Sequence, residues 1–398
     1  MAKIIAINAG SSSLKWKLFE MPAETELASG MVDRVGLSDS VFTVHYGEDE
    51  KEKFEVTQDI DNQTQAVDLL LKKLNDLKIV EDLSEITGVG HRVVAGGEIF
   101  KESTVIDDKV AKQIGDLAEY APLHNPAELM GIEAFRKLLP NATSVAVFDT
   151  SFHTTMPAVN YLYSIPYEYY EKYGARKYGA HGTSHRYVSL RAAEMLGKPI
   201  EDLKLITLHL GAGASITAVD GGKSVDTSMG FTPLAGITMA TRSGDIDASL
   251  VSFLMEKLNI HEPDEMIDIL NHKSGIYGIS GISPDMRDLE KARTTNERAK
   301  LGIDIFVNRI QKYIGSYVAE MGGADALIFT AGIGEHDAAM RQRIVDGLSY
   351  FGAAVDPKRN DVMGVERVIS PDDAKMKVLL IPTNEEVMIA RDVQALSK

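Results

Sequence analysis

IIAINAGSSSLKWKLF, residues 4–19, and LITLHLGAGASITAVDGG, residues 205–222, share one plan. An apolar run enters a turn of small residues, and a second run leaves it. Superposing them sets Asn8 opposite His209 and Gly10 opposite Gly211. Branched aliphatic residues favour pleated backbone, and Gly and Ser favour the tight turn between two strands. Each stretch therefore predicts a β-hairpin. Two of them in one chain predict a duplicated domain with a cleft between the halves.

Around the hairpins, short β-rich runs alternate with helical ones, which predicts α/β architecture. Strands are expected at Lys3–Ile7, Leu14–Phe19, Gly88–Val94, Ser144–Phe148, Lys204–Leu210, Ser215–Val219, Ala326–Thr330 and Lys377–Ile381. Val67, Leu70, Leu71 and Leu74 share one helical face. Asn125-Pro126 reads as a helix start, and Ser184 to Leu196 as a helix stopped by Gly197. The longest helix runs from Asn296 to Met321 and ends at Gly322-Gly323. Residues 1–150 with about 386–398 form the expected N-terminal domain, and 151–385 the C-terminal one. The 398-residue length suits such a division.

Composition excludes several classes. At 44% hydrophobic and 25% charged residues, the chain carries enough apolar surface to fold. Asp and Glu outnumber Lys and Arg by 58 to 42, for a net charge of −16, which argues against nucleic acid as a partner. An anionic substrate then needs a local cluster of cations. Cysteine is absent, which removes disulfides and thiolate chemistry and accords with a reducing cytoplasm. No apolar run approaches the ~18 residues of a membrane span. Near-miss motifs fail on single positions. Gly221-Gly222-Lys223-Ser224 lacks the first glycine of a P-loop, since Thr217 stands there. His181 and His185 have zinc-ligand spacing, but Gly182 replaces the glutamate of that motif.

Three glycine-rich turns follow expected strands: Asn8–Lys15, His209–Ser215 and Phe329–Glu335. Backbone N–H groups in such turns approach phosphate oxygens closely. Arg92 and Asp149 stand at the carboxyl ends of expected strands, where open α/β sheets bind ligands. Arg242 lies among small residues, and Glu386 offers a carboxylate able to hold Mg²⁺ through water.

These strings together, with GHRVVAGG (90–97), APLHNP (121–126), VFDTSFH (147–153), KYGAHGTSHRYV (177–188), TRSGDID (241–247) and PTNEE (382–386), resemble the acetate kinase, or acetokinase, family. The resemblance implies duplicated actin-like (ribonuclease H-like) domains with a nucleotide cleft. It implies reversible phosphoryl transfer from ATP to acetate, giving acetyl phosphate and ADP. Mg²⁺, or Mn²⁺ in its place, would serve a cytoplasmic homodimer; propionate or butyrate kinase is the alternative. By the same resemblance Asn8 and Glu385 serve the metal, and Lys15 the nucleotide phosphates. Arg92 binds the substrate carboxylate, with Val94, Leu123 and Pro233 as pocket walls. Asp149 is the active-site acid, and His181 and Arg242 stabilise the transition state. His209, Leu210, Gly211, Ala212 and Gly213 form the first ATP-binding segment. Asp285, Met286 and Arg287 form the second, and Gly332, Ile333, Gly334, Glu335 and His336 the third. Five positions depart from the family pattern: Ala95, Ala180, Ala212, Met286 and His336. Of these, Ala180 leaves room for a longer acceptor, and Ala180→Phe is expected to narrow specificity.

Overall fold

The computed structural model describes residues 2–10, 12–47, 51–119 and 125–397. The chain forms two compact units, Met1–Phe152 with Asn384–Lys398, and His153–Thr383.

The first unit is built on an eight-stranded sheet. Its strands are β1 (Ala2–Ala9), β2 (Ser13–Met21), β3 (Thr25–Asp33), β4 (Ser40–Tyr46), β5 (Glu52–Gln58), β6 (Ile86–Val93), β7 (Thr104–Val105) and β8 (Thr143–Phe148). Their order is β5-β4-β3-β2-β1-β6-β8-β7. The β1–β2 hairpin pairs Asn8 with Lys15, and β6 and β8 run parallel to β1. β1 is apolar on both faces because both are covered, as in parallel sheets generally. Ile5 and Ile7 join Val67, Leu70, Leu71 and Leu74 of helix Gln63–Asp76 in one core cluster.

The opposite face takes the last helix, Glu385–Leu396. Glycines on β6 make that approach possible. A Cβ at Gly90 would lie 2.2 Å from Ile389 Cγ2, and one at Gly88 2.5 Å from Val393 Cγ1. No side chain fits between these backbones, so the GxG spacing seats the helix whose first residue is Glu385.

The second unit has a six-stranded sheet. It contains β9 (Lys204–Leu210), β10 (Ala214–Asp220), β11 (Lys223–Thr227), β12 (Ala326–Thr330), β13 (Arg367–Val368) and β14 (Lys377–Leu380), in the order β11-β10-β9-β12-β14-β13. β9 and β10 form the second hairpin, and β12 and β14 continue parallel to β9. The run β10-β9-β12-β14 thus repeats β2-β1-β6-β8, and the fold is a duplicated α/β one. Helix Gly182–Leu196 ends on left-handed Gly197, and helix Glu297–Met321 starts from Asn296, whose side chain accepts from Arg298 N and Ala299 N.

All eight expected strands form, with ends shifted by a residue or two. Three details differ from expectation. Strands β3 to β5 extend the first sheet beyond the anticipated hairpin. The side chain of Asn125, expected to cap its helix, binds Ala95 N, Ala95 O and Ile114 O. The third glycine-rich turn is a short helix, Ala331–His336.

Candidate functional site

In the first unit, the parallel strands β1, β6 and β8 end together and bring Asn8, Arg92 and Asp149 into contact. Arg92 donates from Nε to Asp149 Oδ1 at 3.0 Å, from Nη2 to Asp149 Oδ2 at 2.5 Å, and from Nη1 to Asn8 Oδ1 at 3.1 Å. This is a bidentate fork, the strong geometry for a guanidinium and a carboxylate. The Asp149 side chain is 1% exposed and that of Arg92 19%. Burial opposes the charge on Arg92, but Asp149, Glu385 and Glu128 outweigh it and raise its pKa.

Two further carboxyls face this cation. Glu385 is half-buried, and its Oε1 is enclosed without a hydrogen-bond partner. Burial pushes its pKa up to about 7 against the pull of Arg92, with Asp149 and Glu386 adding to the rise. Glu128, on helix Asn125–Leu138, is buried and accepts from Val94 N at 3.2 Å. Burial pushes it up to about 8, again against Arg92. Three acids thus surround one arginine; burial favours the protonated form of Glu128 and Glu385, and a cation arriving beside them would displace those protons. Lys15 is exposed on β2, opposite Asn8. Val94 and Ala95 are buried just past β6. Leu123 lies outside the described residues.

The Glu128 shift has a thermodynamic consequence. Its folded pKa lies above the ordinary 4.5, so the native state binds more protons between about 4.5 and about 8. That contribution is complete at low pH and is lost as pH rises through the folded value. Urea midpoints measured from pH 5 to 9 are expected to fall less in Glu128→Gln than in the parent. Parallel curves would remove Glu128 from the account.

In the second unit, His181 precedes helix Gly182–Leu196 in a left-handed conformation, φ 58°. Its Nδ1 lies 2.9 Å from Ser215 Oγ, and its ring stacks on His209 at 4.1 Å between centroids. Arg242 is half-buried. Its hydrogen bonds go to neutral acceptors, Pro233 O at 3.5 Å and Met239 Sδ at 3.9 Å. It forms no ion pair among the described residues, and burial lowers its pKa. A Cβ at Gly213 would lie 3.4 Å from Arg242 Nη1 and 3.7 Å from His181 Nε2, so both groups border that turn.

A cavity of about 680 Å³ opens beside the same turn. Gly211, Ala212, Asp285, Met286, Arg287, Gly332, Ile333 and His336 line it, with Ile276 and Phe306 adding apolar surface. Leu210 is buried in β9. Glu335 is engaged within its own turn, its Oε1 accepting from Ala331 N at 2.7 Å and Thr383 N at 3.1 Å. Asp285 caps helix Met286–Ala292 and pairs with Arg287, whose hydrogen bond brings its pKa down to about 2. An apolar slot with glycine turns, beside an arginine that has no ion pair among the described residues, can hold an aromatic ring joined to an anion.

Ala180 is buried in the same core cluster as Met229, and its carbonyl meets His153 Nε2 at 2.9 Å. Ala180→Phe is expected to cost about 1–3 kcal/mol by overfilling the core. A thermal midpoint equal to the parent's would show that the space exists after all.

Several groups were not anticipated. Glu128, Thr207 and the hydroxyls of Ser184 and Ser215 carry no sequence signal for a place in the site, and the spacing of His185 points to a zinc ligand. The fully buried His185 in fact binds two hydroxyls, Thr207 Oγ1 at 2.6 Å and Ser215 Oγ at 2.7 Å.

Comparison with known proteins places the molecule. The architecture is that of solved carboxylate kinases. The Porphyromonas gingivalis acetate kinase superposes with a TM-score of 0.94 at 43% identity, and a Francisella tularensis propionate kinase with 0.92 at 38%, each covering 100% of both chains. An acetate kinase of Lactiplantibacillus plantarum is 62% identical over 398 residues, 100% of each chain. The model of the acetokinase family matches residues 3–391, and the chain belongs to that family.

Proposed function

We propose that this protein transfers the terminal phosphoryl group of ATP to acetate, giving acetyl phosphate and ADP, and runs the reverse reaction as well. The observation that carries the reading is Arg242, a half-buried cation whose acceptors among the described residues are neutral, beside a glycine turn next to the cavity. Such an arrangement is incomplete until an anion arrives. Ile276, Met286, Phe306 and Ile333 offer apolar surface to a base, and the turns at Gly211 and Gly332 offer backbone to phosphates.

The acceptor carboxylate needs no activation. Carboxyls titrate near ~4, so acetate is already ionised at neutral pH and no general base is required. Asp149 accordingly works by holding Arg92, since both of its oxygens are engaged there. A guanidinium has five N–H donors. Asp149 and Asn8 take three of them in Arg92, which leaves donors for the substrate carboxylate. In the transfer itself, charge spreads over the phosphoryl oxygens, and fixed cations lower its energy. Arg242 and His181 are placed for that work.

The first-unit cluster fits a divalent metal. Glu385 Oε1 is an enclosed oxygen without a partner, and Asn8 Oδ1 adds a second hard donor. Among the described residues no group of three or more His, Cys, Asp or Glu could hold a metal. Mg²⁺ suits that situation, because it keeps waters and takes substrate phosphates as ligands. Asn8 and Glu385 would hold it, and it would neutralise phosphate charge when bound. Lys15 would add a second cation toward the phosphates.

We assign the reaction to the cytoplasm, where ATP and ADP are available, and assign the protein to a homodimer. Helix Ala248–Leu258 supports the dimer: Val251, Leu254 and Met255 pack against a small core cluster, but its other large apolar residues face outward. Leu250, Phe253 and Leu258 are 40%, 53% and 55% exposed. Light scattering is expected to give a dimer for the parent and a monomer for Phe253→Asp. A monomeric parent would remove the assignment.

The functional reading is tested by coupling ATP formation to hexokinase and a dehydrogenase, with ADP and acetyl phosphate supplied. Acetate, propionate and butyrate are compared in the forward direction. Absence of ATP formation would refute the kinase assignment, and a higher kcat/KM for butyrate or propionate would refute acetate as the acceptor.

A further inference from the structure

His181 and His209 stack at 4.1 Å with an interplanar angle of 17°, and each is anchored through Nδ1 to a different serine. A hydroxyl has one hydrogen to donate, and a neutral imidazole carries one N–H. Following the hydrogens along each chain therefore sets the protonated nitrogen of each ring.

One chain begins at Thr383, whose hydroxyl donates to Ser184 Oγ at 2.8 Å. Ser184 is fully buried, and its other partner is His209 Nδ1 at 2.8 Å. Its own hydrogen must point at that nitrogen, because a buried hydroxyl hydrogen without an acceptor is costly. His209 then accepts at Nδ1 and carries its ring proton on Nε2.

The other chain begins at Thr207, whose hydroxyl donates to Thr217 O at 3.4 Å. With that hydrogen on the carbonyl, Thr207 Oγ1 accepts from His185 Nδ1 at 2.6 Å; with it turned to Nδ1, every bond of this chain reverses. His185 is fully buried, and burial holds its pKa well below the ordinary value, with His153 and His209 adding to the effect. It is neutral, and in the first arrangement its one hydrogen is on Nδ1. Its bare Nε2 takes the hydrogen of Ser215, 2.7 Å away. Ser215, itself fully buried, can then only accept from His181, whose Nδ1 is 2.9 Å distant.

We propose that Ser215 and His185 are positioning residues that fix His181 as the Nδ1–H tautomer, opposite to the stacked His209. The two rings then differ in what they offer. His209 donates from Nε2 while neutral. His181 donates from Nε2 only as an imidazolium, and Ser215 is oriented to accept from that cation as well. The Nε2 edge of His181 borders Gly213, as does Nη1 of Arg242, so both cations converge on one turn. No proton leaves the ring during transfer; the imidazolium acts as a charged donor. This inference rests on the phosphoryl-transfer reading above, and the groups facing His181 include His209, Ser215 with His185 behind it, and Arg242.

The test is a long-range proton–nitrogen NMR spectrum of the full chain labelled with ¹⁵N-histidine, assigned with His181→Asn and His209→Asn. At neutral pH without nucleotide, His181 is expected as Nδ1–H or doubly protonated, and His209 as Nε2–H. Adding a non-hydrolysable ATP analogue with Mg²⁺ is expected to leave His181 doubly protonated. An Nε2–H tautomer for His181 overturns the proposal. In kinetics, Ser215→Ala is expected to lower kcat by about tenfold to a hundredfold, the scale of a small misplacement at a reacting centre. The KM values for acetate and ATP should stay near those of the parent, and Ser215→Thr should restore kcat. A parental kcat in Ser215→Ala overturns the positioning role. Should that variant fail to fold, the parent spectrum still decides. The tautomers are measurable in a protein that makes no acetyl phosphate, so failure of the functional reading is told apart from failure of this one.

Discussion

Arg92→Ala is expected to lower kcat by about 10²–10³-fold, the effect of losing a fixed charge at a developing anion. The KM for acetate should rise as well, because the same guanidinium is proposed to hold the ground-state carboxylate. Stability is expected to fall too. The substitution leaves Asp149, 1% exposed, without the fork that satisfies both of its oxygens. Breaking one side of a buried pair costs about 3–5 kcal/mol, since the remaining charge is left uncompensated. Arg92→Lys separates the effects. It keeps a charge near Asp149, Glu385 and Glu128 but cannot make the fork, so stability should recover more than KM does. Steady-state kinetics and urea unfolding on both variants check this. An unchanged KM for acetate in Arg92→Ala would refute the carboxylate role.

Arg242→Ala should behave differently in each measurement. Its kcat is expected to fall by about 10²–10³-fold, with the acetate KM little changed, as for an interaction made only in the transition state. Stability should hold or rise slightly. The side chain binds a carbonyl and a thioether, so its removal strands no charge, and burial of the cation is itself unfavourable. A near-parental kcat would refute the assignment. A marked loss of stability would show that Arg242 holds the fold together.

The contrast between these arginines could not be read from the chain. Both appear in the sequence as single cations among small or apolar neighbours. The partner of Arg92 is 57 residues away on another strand, and only the parallel register of β6 and β8 joins them. The hairpins were legible because strand, turn and strand are contiguous. Strand β4, SVFTVHY, does carry a period-two pattern and could have been found by it. Strand β5, EKFEVTQ, is mostly exposed, and its polarity hides it. Glu128 was hidden differently. An acid in the first turn of a helix is ordinary dipole compensation, so nothing local marks it as buried. Residue-by-residue reading pointed to Glu386, whereas the enclosed oxygen belongs to Glu385. Helix phase decides between neighbours, and phase depends on how Glu385–Leu396 is seated.

That seating has a consequence for the order of synthesis. The glycine face of β6 leaves the ribosome early, yet Ile389 and Val393, which cover it, are made roughly 300 residues later. At ~5–20 residues per second the nascent first unit waits about 15–60 s with one sheet face bare. Throughout that interval Arg92 lacks Glu385, one of the two residues proposed to hold a metal. The unit that begins first is therefore the one that finishes last, and a chain stalled before this helix leaves the glycine face of β6 uncovered.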